Sequence, residues 1–115
     1  MKLEHFTDGR GILIWVSPKI LNFDYKYLLM GSIMPGETRG NHYHKRIFEK
    51  ILCIKGTILV RVGLKENTIS NGEIIDITTG ELHSVTNIGE EEAFFIEFKS
   101  EELNEADRDT HKPNN

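Results

Sequence analysis

The stretch GETRGNHYHKRIFEKILCIKG, residues 36–56, carries the most informative sequence pattern in the chain. Two histidines in it, His42 and His44, are separated by one residue, and Glu49 follows. Side chains on a strand alternate between its two faces, so two histidines in an extended segment point to one side with Cα atoms about 7 Å apart. At that spacing two imidazoles can reach one metal ion at about 2.1 Å each. The stretch therefore predicts a metal-binding site whose ligands lie on β-strands.

A second stretch, GEIIDITTGELHSVTN at residues 72–87, adds His83. Glu49 can supply a carboxylate oxygen from the next strand and His83 a nitrogen from a later one, so we expect His42, His44, Glu49 and His83 to converge. Three nitrogens and one oxygen without sulfur suit Zn, Fe, Mn, Ni or Cu, and the ligand set alone does not choose among them. The alternative for any single histidine is a surface or hydrogen-bonded residue. It is the spacing of the four together that favours a metal site.

The rest of the chain keeps a strand-and-turn rhythm. Apolar residues come in short runs punctuated by Gly or Asn, which is typical of strands and not of amphipathic helices. Asn71-Gly72 is the strongest hairpin signal. We expect strands over residues 12–16, 25–34, 38–44, 47–54, 58–64, 66–70, 73–77, 82–86 and 93–98. Short strands at such regular spacing predict a β-sandwich or a β-barrel.

Several of these strands are apolar on both faces. In the run 47–54, Ile51 and Cys53 alternate with Leu52 and Ile54. If one face lines a barrel, the other face needs a second cover, which is either another sheet or a second subunit. We therefore expect a homodimer.

Length and composition limit the class of function. The 115 residues can form one domain around one core. The net charge of -4 and the lack of a basic block argue against a nucleic-acid partner, although one or two arginines are enough for a small anionic ligand. No apolar run approaches membrane-spanning length, and the single Cys53 cannot form an internal disulfide. We expect a cytoplasmic protein without a membrane partner.

The quoted residues match the two sequence motifs of the cupin superfamily. The first motif is met by Gly36, His42, His44, Glu49 and Gly56. The second is met by Gly72, Gly80, His83 and Asn87, with Thr78 where proline is usual. The sequence therefore resembles a cupin. The resemblance implies an all-β fold, a double-stranded β-helix or jelly-roll barrel, as a single domain over residues 1–99, and we expect a polar, partly disordered tail over residues 100–115.

A narrower resemblance is carried by two arginine-glycine motifs. DGRG at residues 8–11 and PGETRGNHYH at residues 35–44, followed by Glu49-Lys50, resemble cupins that act on sugar nucleotides. The pattern is most similar to the C-terminal cupin domain of capsular-polysaccharide UDP-sugar epimerase/reductases, and more distantly to dTDP-4-dehydrorhamnose 3,5-epimerase and the dTDP-sugar 3,4-ketoisomerases. This implies an enzyme that epimerises or isomerises a nucleotide-linked 4-keto-6-deoxy sugar in polysaccharide or capsule biosynthesis. Zinc is the metal that the resemblance implies, with Fe, Mn or Ni as alternatives.

The resemblance also suggests roles for single residues. In metal-free relatives the histidine at the position of His42 is a general base, whereas a metal bound by His42 would take the lone pair that a base needs. Lys50 is a second catalytic candidate as a cation near the developing enolate, although strand alternation points it away from Glu49. Arg10 and Arg39 are candidates for the diphosphate, because the guanidinium fork suits phosphate oxygens. The alternative is two solvated surface arginines.

Two other functions fit the same ligand set. One is a metal-dependent cupin oxygenase, and the other is a non-catalytic cupin module that binds a sugar. Fold does not settle function, since one fold hosts many chemistries. The two arginine-glycine motifs favour the sugar-nucleotide enzyme.

Overall fold

Ten strands and one short helix make up the regular structure in a computed structural model that describes residues 1–113. The strands are β1 (His5–Asp8), β2 (Gly11–Ile14), β3 (Tyr27–Ile33), β4 (Thr38–His42), β5 (Glu49–Lys55), β6 (Thr57–Val62), β7 (Lys65–Ser70), β8 (Ile74–Ile77), β9 (His83–Asn87) and β10 (Ala93–Lys99). The helix is α1 (Pro18–Leu21). Within residues 1–113, no helix has the length and apolarity needed to cross a membrane.

Eight of the strands form two four-stranded antiparallel sheets. The first has the order β3-β10-β5-β8 and the second the order β4-β9-β6-β7. The chain passes back and forth between the sheets, which is the double-stranded β-helix expected from the cupin motifs, so the prediction of an all-β jelly roll is confirmed. Buried apolar side chains from both sheets form the core between them, including Ile33, Ile51, Ile58, Val85 and Phe95.

Gly56 shows why the first motif ends in glycine. It lies in the turn between β5 and β6 with a φ of +102°. A Cβ atom at this position would lie 2.9 Å from the Cβ of Ala93, closer than two carbons approach without displacement. Both the backbone conformation and the close approach therefore require a residue without a side chain.

The N-terminal segment covers the outer face of the first sheet. Leu52 and Phe98 point outward from that sheet and pack with Leu3 and Leu21 in a second buried cluster. Strand β1 and helix α1 were not predicted from the sequence. The helix is a single turn, with Ser17 as its N-cap, which is too short to show a helical period.

This cover is incomplete at the edge strand β3. Met30 is 72% exposed, and Leu28 and Phe94 are also exposed on the same face. The chain itself thus supplies part of the second cover that the apolar strands require. The homodimer stays a prediction.

Asp109 ties the C-terminal segment to the loop between β4 and β5. Its carboxylate accepts hydrogen bonds of 2.8 to 3.1 Å from the backbone N–H groups of residues 45–47, and the residue is 2% exposed. Next to it, Tyr43 and His111 exchange backbone hydrogen bonds of 2.9 and 3.0 Å. The division into a barrel and a partly disordered tail stays a prediction, and its last residues, 114–115, lie outside the described part of the chain.

We expect Asp109→Ala to lower the free energy of unfolding by about 2–4 kcal/mol, because three backbone donors, one of them buried, lose a charged acceptor. Burial alone would raise the pKa of the Asp109 carboxyl, but the backbone N–H groups of Arg46 and Ile47 hold it well below its usual range. A depressed pKa means that the stabilisation is present above the unfolded-state pKa of about 3.9 and is lost as the pH falls below it.

Urea denaturation of the wild type and of Asp109→Ala, from neutral pH to below the unfolded-state pKa of about 3.9, measures this loss of stability. The difference in unfolding free energy should be largest near neutral pH and should shrink in acid. Asp24→Ala is the control, since Asp24 makes only an exposed ion pair with Lys26. Equal stability of wild type and Asp109→Ala at neutral pH would contradict the anchoring role.

Candidate functional site

Three histidines meet in the barrel, as the sequence predicts. One ring nitrogen from each of His42, His44 and His83 lies within 4.8 Å of the others. His42 and His83 face each other directly in the ladder between β4 and β9. His44 and His83 are buried, and His42 is half-buried. The cluster is thus shielded from bulk water but accessible from one side.

A β-bulge in β4 sets the position of His42. The register to β9 shifts between Gly40 and His42, and Asn41 has the left-handed φ of +63° that asparagine tolerates. Strand β4 ends at His42, so the prediction of one extended segment over residues 38–44 is wrong in this detail. His44 lies in the loop that follows, yet its ring still points to the same place.

Glu49 joins the cluster from β5 and is fully buried. Its Oε1 atom lies 2.8 Å from His44 Nε2, and its Oε2 atom lies 3.9 Å from His83 Nε2. Lys99 Nζ also lies 3.1 Å from Glu49 Oε1. These are ionic contacts, and His44 Nε2 and both Glu49 oxygens have no aligned hydrogen-bond partner within residues 1–113. Buried polar atoms without a partner are costly, and a divalent cation would satisfy all three at once. The side chains present therefore fit a metal ion.

Burial controls protonation in the cluster. Burial lowers the pKa of His42 to about 4, and the nearby His83 and His44 add to this effect. Burial also lowers the pKa of His83. Both rings are therefore neutral at pH 7 with a free lone pair. Burial would lower the pKa of His44 as well, but the Glu49 carboxylate outweighs it and raises that pKa. For Glu49, burial is outweighed by His44 and Lys99, which lower its pKa.

Backbone carbonyls orient two of the rings. His44 Nδ1 makes a 2.8 Å hydrogen bond to the backbone carbonyl oxygen of Asp109, and His83 Nδ1 makes one of 3.3 Å to that of Glu81. A carbonyl can only accept, so Nδ1 carries the hydrogen and Nε2 is left to face Glu49. The contact to Asp109 joins residues 65 positions apart, and no local sequence signal reveals it.

A cavity of about 240 Å³ opens beside the cluster. Its walls come from β3 and β10 of one sheet and from β4 and β9 of the other, and Thr110 of the C-terminal segment closes one side. His42, His44 and His83 all line it. The histidine cluster therefore borders a space that a small molecule can enter from outside.

Two charged residues in this cavity, Glu97 and Lys99, were not predicted from the sequence. Lys99 lies opposite Glu49 in the ladder between β5 and β10, with its Nζ atom 3.1 Å from Glu49 Oε1 and 3.7 Å from Glu97 Oε2. Burial, followed by repulsion from Glu49, raises the pKa of Glu97 to about 7. The alternation of Phe95, Glu97 and Lys99 on one face was the available signal. It was weak, because charged residues near a strand end are usually solvated.

The structure does not bring Lys50 to the cluster. Lys50 points to the outer face of β5, where its Nζ atom lies 2.7 Å from Asp76 and above the rings of two phenylalanines. Strand alternation already indicated this direction. The cation next to Glu49 is Lys99, supplied by the neighbouring strand.

The two candidate arginines lie in different places. Arg39 lines the cavity, where its Nε atom donates a 2.9 Å hydrogen bond to the backbone oxygen of Ser32. Arg10 lies in the turn between β1 and β2, is largely exposed and pairs with Asp8 at 2.6 Å. Within one chain, only Arg39 of the two is at the cavity.

Residues 7–111 match the family described as polysaccharide biosynthesis C-terminal domain. The UDP-2-acetamido-2,6-beta-L-arabino-hexul-4-ose reductase of Pseudomonas aeruginosa is 32% identical over 85 residues, which are 67% of this chain and 23% of that protein. The capsular polysaccharide assembling protein CapF from Staphylococcus aureus superposes with a TM-score of 0.73 at 26% identity, over 96% of this chain and 34% of that chain. The chain thus spans about a quarter of the reductase and a third of CapF.

The QdtA 3,4-ketoisomerase from Thermoanaerobacterium thermosaccharolyticum, solved as a double mutant with TDP, has a TM-score of 0.73 at 23% identity. The superposition covers 97% of this chain and 84% of that chain, and it supports the fold. The resemblance to sugar-nucleotide cupins, seen in the two motifs of the sequence, is confirmed by these comparisons. With nearly the whole sequence matched, this cupin-fold chain belongs to the polysaccharide biosynthesis C-terminal domain family.

Proposed function

We propose that this domain is an enzyme that epimerises or isomerises a nucleotide-linked 4-keto-6-deoxy sugar in capsule or polysaccharide biosynthesis. The observation that carries the proposal is the cavity that His42, His44 and His83 share with Arg39 and Lys99. A UDP-sugar reductase and a capsule-assembling protein among the relatives support the substrate class. Both relatives are much longer than this chain, so the groups that line the cavity have to suit the same substrate class.

The chemistry of the substrate explains the residues that the cavity offers. A ketone acidifies the hydrogens on its two neighbouring carbon atoms, and removing one needs a base within reach and positive charge near the carbonyl oxygen. His42 is neutral at pH 7 and can accept a proton when it binds no metal. Lys99 supplies positive charge at the cavity wall beside the histidines, and Arg39 is left for the diphosphate.

We further propose a divalent metal ion, with zinc as the expected one, held by His42, His44, Glu49 and His83. Three buried atoms without hydrogen-bond partners in the described part of the chain support this assignment. When bound, such an ion would act as a Lewis acid toward the ketone oxygen. In that state the lone pair of His42 is used for binding, and His42 does not act as a base.

The metal is tested by loading the purified protein with zinc, dialysing it and measuring the metal content by mass spectrometry. We expect one ion per chain in the wild type and at least about tenfold weaker binding in His83→Ala, because one of four donors is lost. His5→Ala is the matched control, since the His5 ring contacts the Leu3 carbonyl, away from the cluster. Equal zinc content in His83→Ala and wild type would rule out this ligand set.

The reaction is tested by uptake of solvent deuterium. The protein is incubated in deuterium oxide with UDP- and dTDP-linked 4-keto-6-deoxyhexoses, before and after chelation, and the ring protons are followed by NMR. We expect label at C3 or C5, lost on chelation and restored by one metal. Label that persists after chelation would indicate a metal-free enzyme, in which the lone pair of His42 is also available to a proton. Absence of label with every donor would refute the proposed reaction and favour an oxygenase or a binding module.

Binding of the diphosphate is tested with Arg39→Ala. Calorimetry with UDP and dTDP should show at least about tenfold weaker binding, because a bidentate guanidinium contact is lost. Arg61→Ala is the control, since Arg61 pairs with Glu66 on the surface. Arg10→Ala is measured in parallel, and a loss equal to that of Arg39→Ala would place the turn between β1 and β2 at the ligand. Unchanged affinity in Arg39→Ala would remove Arg39 from the binding site.

A further inference from the structure

The proposed reaction needs a base that stays free when the histidines bind metal. His42, His44 and His83 contribute their nitrogens to one cluster, so a metal held there leaves none of them to accept a proton. A base must nevertheless border the same cavity, because the proton to be removed lies on the substrate. Such a base has to be a titratable group that lines the cavity and does not belong to the histidine cluster.

We propose that Glu97 is this catalytic group, the base that removes the proton beside the ketone and returns it, and that Lys99 is its positioning residue. The inference rests on the proposed function. Within residues 1–113, Glu97 is the one carboxyl-bearing residue that lines the cavity, since Glu49 lies behind the histidines and is fully buried. The Glu97 side chain is 14% exposed, which leaves it shielded but reachable.

Lys99 holds Glu97 in place. Its Nζ atom lies between the two carboxylates, 3.7 Å from Glu97 Oε2 and 3.1 Å from Glu49 Oε1. Across the sheet, Glu97 is opposite Leu29, which also lines the cavity, so the strand pairing directs the carboxyl toward that space. The positions of the two glutamates thus give them different roles, because Glu49 faces the histidines and Glu97 faces the cavity.

The environment of Glu97 suits a group that both takes and gives a proton. Burial is the largest effect on Glu97 and raises its pKa above the usual range of a carboxyl group, toward the working pH. A base works best when its pKa is close to the working pH. This supports the assignment, which stands on the lining of the cavity.

The step balances without a further reactant. A Glu97 oxygen takes the proton from the carbon beside the ketone, the C–H electron pair becomes the C=C bond, and the carbonyl π pair moves to the oxygen. For isomerisation, the hydroxyl on the first carbon gives its proton to that oxygen and its electron pair forms the new C=O, while the C=C pair takes the proton from Glu97 at the former carbonyl carbon. For epimerisation, the C=C pair takes a proton from water on the opposite face of the first carbon, the oxygen pair re-forms C=O, and Glu97 gives its proton to the hydroxide that the water leaves.

Glu97→Gln tests the proposal, because it keeps the shape of the side chain and removes its basicity. Deuterium incorporation into UDP- and dTDP-linked 4-keto-6-deoxyhexoses should fall by at least about 100-fold. Zinc content and affinity for UDP should stay within about threefold of the wild type, which separates a lost base from a lost site. The matched control is Glu90→Gln, in the exposed turn before β10. This variant should incorporate deuterium into the sugar at the wild-type rate.

Lys99 is tested by a pair of variants. Lys99→Met should slow deuterium incorporation, and Lys99→Arg should restore part of the rate, since it returns the charge. Melting temperature and zinc content are measured for both. Equal rates in the two variants, at equal stability and zinc content, would remove the positioning role.

The outcomes separate this inference from the proposed function. Exchange in Glu97→Gln at the wild-type rate would overturn the role of Glu97 and leave the function standing. No exchange in the wild type with any donor would overturn both. Should Glu97→Gln fail to fold by circular dichroism, Glu97→Asp decides: a folded variant with a reduced rate supports the base, and one with an unchanged rate overturns it.

Discussion

A fully buried carboxylate, that of Glu49, is the constraint on which the rest of the site depends. An ionised group in the interior needs compensating charge or a metal, because its loss of hydration is otherwise too costly. Here the compensation comes from two strands and a loop: His44 at 2.8 Å, Lys99 at 3.1 Å and His83 at 3.9 Å. The barrel is the scaffold that brings these groups together from distant parts of the sequence.

The C-terminal segment belongs to this scaffold. The Asp109 carboxylate holds the backbone of residues 45–47, and its carbonyl holds the ring of His44. One residue therefore fixes both the loop that carries a cluster histidine and the orientation of that histidine. Such outer contacts determine which ring nitrogen is available to a metal. Removal of the C-terminal segment would therefore also disturb the histidine cluster.

Two glutamates near one lysine have opposite electrostatic environments. Burial tends to raise the pKa of both, but His44 and Lys99 lower that of Glu49, whereas the charge of Glu49 adds to the effect of burial on Glu97. When neighbouring carboxyl groups are driven apart in pKa, one suits a permanent charge and the other suits proton transfer. On the assignments proposed above, Glu49 is a metal ligand and Glu97 is the base, so His42 does not have to serve as both ligand and base.

An all-β fold and the convergence of His42, His44, Glu49 and His83 could be predicted from the sequence, because the period of two, the turn glycines and the spacing of the histidines are local patterns. The jelly-roll topology and the family came from the resemblance of the two motifs to the cupins. Only the tertiary structure decided that Lys99 and not Lys50 stands beside Glu49, that Arg39 and not Arg10 lies at the cavity, and that Asp109 anchors the site. The reason is that strand pairing brings residues that are far apart in the sequence side by side. The sequence alone does not distinguish a charged residue that faces solvent from one that faces a cavity.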